Sequence, residues 1–223
     1  MLNDSQRPLL LLGSNSNIYK ILELAESVGI TVAGILDNDY EGAGEYKGIP
    51  VLGGEQDISR FANTHQFICA TNWTPDPSAE RNRQKRARQL ELLQDVTLAT
   101  LVSPLANVSR FSTIGAGSAV FAYASVEPEV TVGEHSLLYD YSIVGHESSI
   151  GNNVVLQRNV LVTSLVTVED NVYFGLCSKA CRSHTTIGQG TFVQPHIMLL
   201  RGTARGETVS LAGRKTYSEI VVQ

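Results

Sequence analysis

The sequence predicts two domains of different class: an α/β N-terminal domain with a small parallel sheet over residues 1–102, and an all-β parallel β-helix with a C-terminal tail over residues 103–223. Three observations predict it. Aliphatic residues recur every six positions through the second half, a column of small or β-branched residues keeps step four positions behind them, and the first third alternates apolar runs with amphipathic ones.

The aliphatic ladder runs Val108, Ile114, Val120, Val126, Val132, Leu138, Val144, Ile150, Leu156, Val162 and Val168 without a missed step. The second column is Ser112, Ser118, Ala124, Val130, Ser136, Ser142, Ser148, Val154, Val160, Val166 and Val172. An α-helix repeats its apolar residues at three and four positions and a simple strand at two, so neither gives a period of six. A coil of three short strands, about eighteen residues per turn, does. Burying one such side chain stabilises the fold by about 1.5 to 3 kcal/mol, and the column repeats many times. Gly115, Gly133, Gly145 and Gly151 follow their aliphatic residues directly and are expected to relieve sharp corners. After Phe174 and Ala180 the ladder slips by one residue and resumes at Ile187, Val193 and Leu199, which predicts a bulge around Arg182 to Thr185.

In the N-terminal third, Pro8 to Leu12 reads as a buried strand, Asn17 to Val28 as a helix and Thr31 to Leu36 as a second strand ending at Asp37. Short strands at Ile49 to Leu52 and Phe67 to Ala70, a charged helix at Ser78 to Gln94 and a lead-in at Leu98 to Val102 complete a small parallel sheet. The loop Gly13-Ser14-Asn15-Ser16-Asn17 joins strand to helix where backbone N–H groups can meet a phosphate, or where an Asn or Ser simply caps the helix. It has one glycine where a dinucleotide fingerprint has three, which speaks against a nucleotide-dependent oxidoreductase. Asp37 stands where such folds place a carboxylate that accepts from a ribose or base. The run Arg81, Arg83, Lys85, Arg86 and Arg88 could bind an anion, but is expected to be a solvated helix surface.

A net charge of −5 argues against a nucleic-acid partner, whose affinity rests on Lys and Arg displacing counterions. Cys69, Cys177 and Cys181 form no zinc pattern and are expected to be reduced. The polar start and the short apolar run Leu9 to Leu12 are unlike a signal or membrane-spanning segment, so a cytoplasmic location is expected.

A βαβ domain carrying Asp37, followed by hexapeptide coils, resembles the hexapeptide-repeat sugar acyltransferases, the group of the bacillosamine-pathway N-acetyltransferase and the sialic acid O-acetyltransferases. The most specific match is Ile143-Val144-Gly145-His146-Glu147-Ser148-Ser149-Ile150-Gly151, similar to the family's segment with a catalytic histidine followed by glutamate. The resemblance implies a left-handed coil, a homotrimer with active sites between subunits, and acetyl-CoA as co-substrate. It implies that His146 is the general base and that Glu147 orients or charge-stabilises its ring; an imidazole can take a proton near neutral pH and suits that work. It further implies that Gly13, Ser14, Asp37 and Asn72 line the pocket for a nucleotide-linked amino sugar, in polysaccharide or glycan assembly. Ser164, one coil beyond His146, stands where the family commonly has a glycine close to the coenzyme thioester. The remaining histidines, His65, His135, His184 and His196, lack that context and are expected to be structural or surface residues. The alternative is a non-catalytic trimeric scaffold or nucleotide-sugar-binding protein that keeps the fold.

Overall fold

The computed structural model describes residues 7–14, 18–42, 44–73 and 79–216, and the chain forms two compact units, 1–101 and 102–223. The expected residues Asn15, Ser16 and Asn17, and the start of the charged helix at Ser78, lie outside the described residues.

In the first unit the elements run β1 (Leu9–Leu12), α1 (Tyr19–Ser27), β2 (Val32–Leu36), β3 (Glu45–Tyr46), β4 (Ile49–Gly53), α2 (Ile58–Phe61), β5 (Gln66–Cys69) and α3 (Glu80–Leu92). The sheet order is β3-β4-β2-β1-β5. Four strands are mutually parallel, and β3 adds an antiparallel edge through a tight hairpin. Leu10, Leu12, Leu36, Phe67 and Cys69 share one core with Ile58 and Leu93. Their alternates Leu9, Leu11, Ile35 and Ile68 are equally buried. Burial on both faces explains why these strands read as unbroken apolar runs rather than as alternation. The C-terminal ends of β1, β2 and β5 bring Gly13, Asp37 and Thr71 to one edge of the sheet.

The expected strand over Leu98 to Val102 is split. Leu98 makes a single bridge to Phe67, and Leu101–Val102 opens one of the β-helix sheets.

The second unit is a parallel β-helix of three sheets whose strands, up to Leu199, are two or three residues long. Ser125 pairs with Ile143, Thr131 with Ser149 and Leu137 with Val155, each one coil of 18 residues on. From Val126 to Phe174 every ladder residue is at most 3 % exposed. The slip falls where the spacing places it: Val168 pairs with Ile187, a coil of 19 residues, and Ile187, Val193 and Leu199 are buried in line. The tail closes as an antiparallel hairpin of Glu207–Ser210 and Gly213–Thr216.

Serine in the second column has a reason of its own. Ser118 Oγ donates to Gly133 O and accepts from the Ser136 N–H, and Ser136 does the same with Gly151 O and the Val154 N–H. The hydroxyls of Ser118 and Ser136 therefore tie their coils to the next while satisfying buried backbone groups, whereas Ser142 Oγ in the same column is buried with no partner among the described residues.

The glycine column works differently from the expectation. Gly115, Gly133, Gly145 and Gly151 do not have positive φ. A Cβ at Gly115 or Gly133 would come within 2.5 to 2.7 Å of the backbone of the next coil, so these glycines permit close coil stacking. The sharp corners lie two residues later: Gly117, Tyr123, Glu129, His135, Tyr141, Glu147, Asn153, Asn159, Leu165, Asn171 and Cys177 all have positive φ. After the inserted residue the pattern continues at His184, Gly190 and His196.

Candidate functional site

His146 sits on one of these corners, between the strands Ile143–Val144 and Ser149–Ile150. Three backbone bonds hold the corner: Gly145 N–H to Val162 O, Glu147 N–H to Pro128 O, and Leu165 N–H to His146 O. Ser148 Oγ adds a fourth tie, donating to Thr163 O and accepting from the Val166 N–H. The backbone under the imidazole is thus fixed on both sides by neighbouring coils.

Glu147 takes the left-handed conformation, φ 57°. In an extended strand consecutive side chains point to opposite faces; the corner instead presents both outward, half exposed, with His146 Nδ1 3.1 Å from Glu147 Oε1. Glu127, which stands just after a ladder residue and to which the sequence assigns no role at the site, accepts the His146 N–H at 2.9 Å through Oε2. Its signal is the coil length: Glu127 stands one coil below Gly145, and Gly145 has no side chain in the way.

Ser164 lies directly one coil above His146. A Cβ on Gly145 would stand 2.5 Å from Ser164 N and 2.7 Å from its Oγ, so the glycine keeps this space open. The Ser164 N–H has no acceptor among the described residues. An outward imidazole, a carboxylate on its Nδ1 and a free backbone donor one coil away can remove a proton from a nucleophile and receive charge on a carbonyl oxygen.

The edge of the N-terminal sheet is organised differently from the expectation. Asp37 is wholly buried and already has three partners: Ser14 Oγ at 2.6 Å, Lys85 Nζ at 2.5 Å and the Asp39 N–H at 3.0 Å. Its carboxylate is therefore committed to the protein. Lys85 also reaches Asp39 at 2.7 Å, and Arg81 pairs with the other Asp39 oxygen. Hydrogen bonding and charge from Lys85, then from Arg81, hold the Asp39 carboxyl below its usual value despite partial burial. Burial opposes the charge on Lys85, but its bonds to Asp37 and Asp39 outweigh this and raise its pKa.

The basic helix is a solvated surface only in part: Arg81 and Arg88 are exposed, as expected, and Lys85 and Arg86 are not. Lys85 and Arg86 are buried, Arg86 donating to Thr71 O and Cys69 O, while Arg88 and Gln89 hold Glu55. These side chains span the strand ends because the buried carboxylates Asp37 and Glu55 demand counter-charge. No sequence spacing announces such long-range pairs.

Gly13, φ 81°, accepts no side chain, since a Cβ would run into Thr71 Oγ1 and the Gln89 amide. Ser14 beside it is committed to Asp37. Asn72, just past β5, is partly buried. Of the expected substrate residues, Gly13, Ser14 and Asp37 come together at this edge. A cleft of about 440 Å³ near Glu26, Thr31 and Pro50, and a hollow of about 380 Å³ near Gly151 and Asp170, are lined by none of the expected site residues. Cys69, Cys177 and Cys181 are free thiols, and no helix among the described residues is long and apolar enough to cross a membrane.

No protein-family model and no curated protein matches the chain. Solved structures do. The acetyltransferase domain of PglB from Neisseria gonorrhoeae is 22% identical, with 95% of this chain and 100% of that one covered at a TM-score of 0.78. PerB from Caulobacter crescentus, solved with CoA and GDP-perosamine, is 19% identical over 94% and 97% of the two chains, and WeeI from Acinetobacter baumannii is 19% identical over 94% and 99%, both at 0.78. The chain shares their fold over nearly its whole length.

Proposed function

We propose that the protein transfers an acetyl group from acetyl-CoA to the amine, or a hydroxyl, of a nucleotide-linked sugar. The observation that carries this reading is the corner at which His146, Glu147 and the free Ser164 N–H stand within one coil of each other. Support comes from the shared fold with the PglB acetyltransferase domain and with PerB, whose structure holds CoA and GDP-perosamine.

In this mechanism Glu147 accepts the Nδ1–H of His146 and so leaves the lone pair on Nε2. Nε2 takes the proton of the sugar amine as the nitrogen attacks the thioester carbonyl. The Ser164 N–H donates to the oxygen that becomes negative in the tetrahedral intermediate. When the intermediate collapses, the oxyanion re-forms the C=O bond and the C–S bond breaks, and His146 returns the proton to the departing sulfur, giving the amide and free CoA thiol. Gly13, Ser14 and Asn72 line the nucleotide subsite, and Asp37 acts there by holding Ser14 and Lys85 in place. The reading includes a left-handed coil and a homotrimer with active sites between subunits, acting in polysaccharide or glycan assembly.

Mass spectrometry of products from acetyl-CoA and a panel of nucleotide-linked amino sugars tests it. A product 42 Da heavier than its acceptor supports acetyl transfer. Thermal stabilisation by nucleotide sugars, with none by acetyl-CoA and no product, would point instead to a binding protein.

A further inference from the structure

Three tyrosines from separate elements converge beside the committed Asp37. Tyr19 opens α1, Tyr40 follows β2 and Tyr46 ends β3. The Tyr40 and Tyr46 ring centroids are 4.4 Å apart at 44°. Lys47 joins the third ring to them, its Nζ 5.1 Å from the Tyr19 centroid and 5.8 Å from that of Tyr46, while Tyr19 Oη donates to Lys47 O at 3.3 Å. The Tyr40 N–H donates to Asp37 O at 3.1 Å, which anchors the cluster at the C-terminal end of β2.

The hairpin that carries Tyr46 is built at some cost. Its two turn residues, Lys47 and Gly48, both have positive φ, 53° and 79°. Asn or Gly is the common choice at the first of these; a lysine there turns its ammonium over two aromatic faces. Burial, then the Tyr40 hydroxyl and the charge of Asp37, raise the Tyr46 pKa and keep its phenol neutral. The cluster is not a sealed core: Tyr19 is 49 % exposed, and Tyr40 and Tyr46 are partly exposed.

We propose that Tyr19, Tyr40 and Tyr46, with Lys47, form the platform on which the base of a nucleotide stacks. The proposal rests on the nucleotide-sugar reading and deepens it by naming what holds the base. Every nucleobase offers a flat π face, and aromatic rings bind that face with little dependence on its identity. The site lies at the end of β2, beside the edge where open α/β sheets take their ligands.

Calorimetric titration of UDP, GDP and ribose 5-phosphate into wild type, Tyr19→Leu, Tyr46→Leu and Tyr46→Phe tests it. The expected result is a rise of about tenfold or more in the Kd of the nucleoside diphosphate for both leucine variants, near-wild-type binding for Tyr46→Phe, and no change for ribose 5-phosphate. Should Tyr46→Leu fail to fold, Tyr19→Leu, on an exposed ring, decides alone. Equal nucleotide affinity in wild type and the leucine variants overturns the platform and leaves the nucleotide-sugar reading standing. Failure of wild type to bind either diphosphate overturns both.

Discussion

His146 Nδ1 and Glu147 Oε1 lie 3.1 Å apart although the two residues are consecutive in the chain. The left-handed φ of Glu147 makes this possible. It also fixes which ring nitrogen is free: with Nδ1–H donated to the carboxylate, Nε2 carries the lone pair.

Glu147→Gln keeps an acceptor near Nδ1 but removes the charge that favours the imidazolium formed during proton transfer. A fall of about tenfold in kcat with little change in KM is expected, since the interaction strengthens as the ring becomes charged. Steady-state kinetics checks it; a rise in KM alone would assign Glu147 to binding instead.

In the proposed mechanism Ser164 contributes its backbone N–H rather than its hydroxyl. Ser164→Gly keeps that donor and is expected to hold kcat within about threefold of wild type, because removal of a true oxyanion donor costs about 10² to 10³. A hundredfold loss on this change would move the role to the hydroxyl.

Lys85→Met leaves Asp37 buried without its cation. Breaking a buried pair in this way costs about 3 to 5 kcal/mol, which urea unfolding of the full chain would register. A loss under about 1 kcal/mol would show that Asp37 finds another partner. The pH dependence follows from the shifts. The Asp39 carboxyl is held low, so its contribution is present above the ordinary value near 3.9 and disappears as pH falls through the lowered one. Lys85 is held high, so its contribution is present below about 10.4 and is lost as pH rises through the raised value. Lys85→Met should flatten both limbs.

Much of the β-helix was legible because a column buried at every sixth position leaves an unbroken trace, and even the inserted residue before Thr185 appeared as a slip of that trace. The reason for Gly133 was not legible: its neighbour is the backbone of Gly151, one coil on, a contact that no local rule describes. Nor was the corner column, since Tyr123, Tyr141 and Leu165 adopt left-handed φ without being the residue types that favour it. At the candidate site, His146 and Glu147 were singled out through a motif, Glu127 shows only through the coil length, and Lys85 depends on contacts from distant parts of the chain. The reading of Lys85 and Arg86 as solvated failed because buried Asp37 and Glu55 draw that helix face inward.

Gly133→Ala therefore tests the stacking itself. A Cβ there would meet the carbonyl of Gly151 at 2.6 to 2.7 Å, and a destabilisation of about 1 to 3 kcal/mol is expected from the overpacking. Thermal melting of the variant unchanged from wild type would mean that the coils can separate freely.

The most direct test of the central claim is the rate of acetyl transfer from acetyl-CoA to nucleotide-linked amino sugars, with wild type and His146→Ala side by side. General-base assistance is worth about 10² to 10⁴-fold, so turnover by wild type and a loss of at least a hundredfold in the variant, with its melting temperature retained, is the predicted result. Turnover in His146→Ala within a few fold of wild type would contradict it.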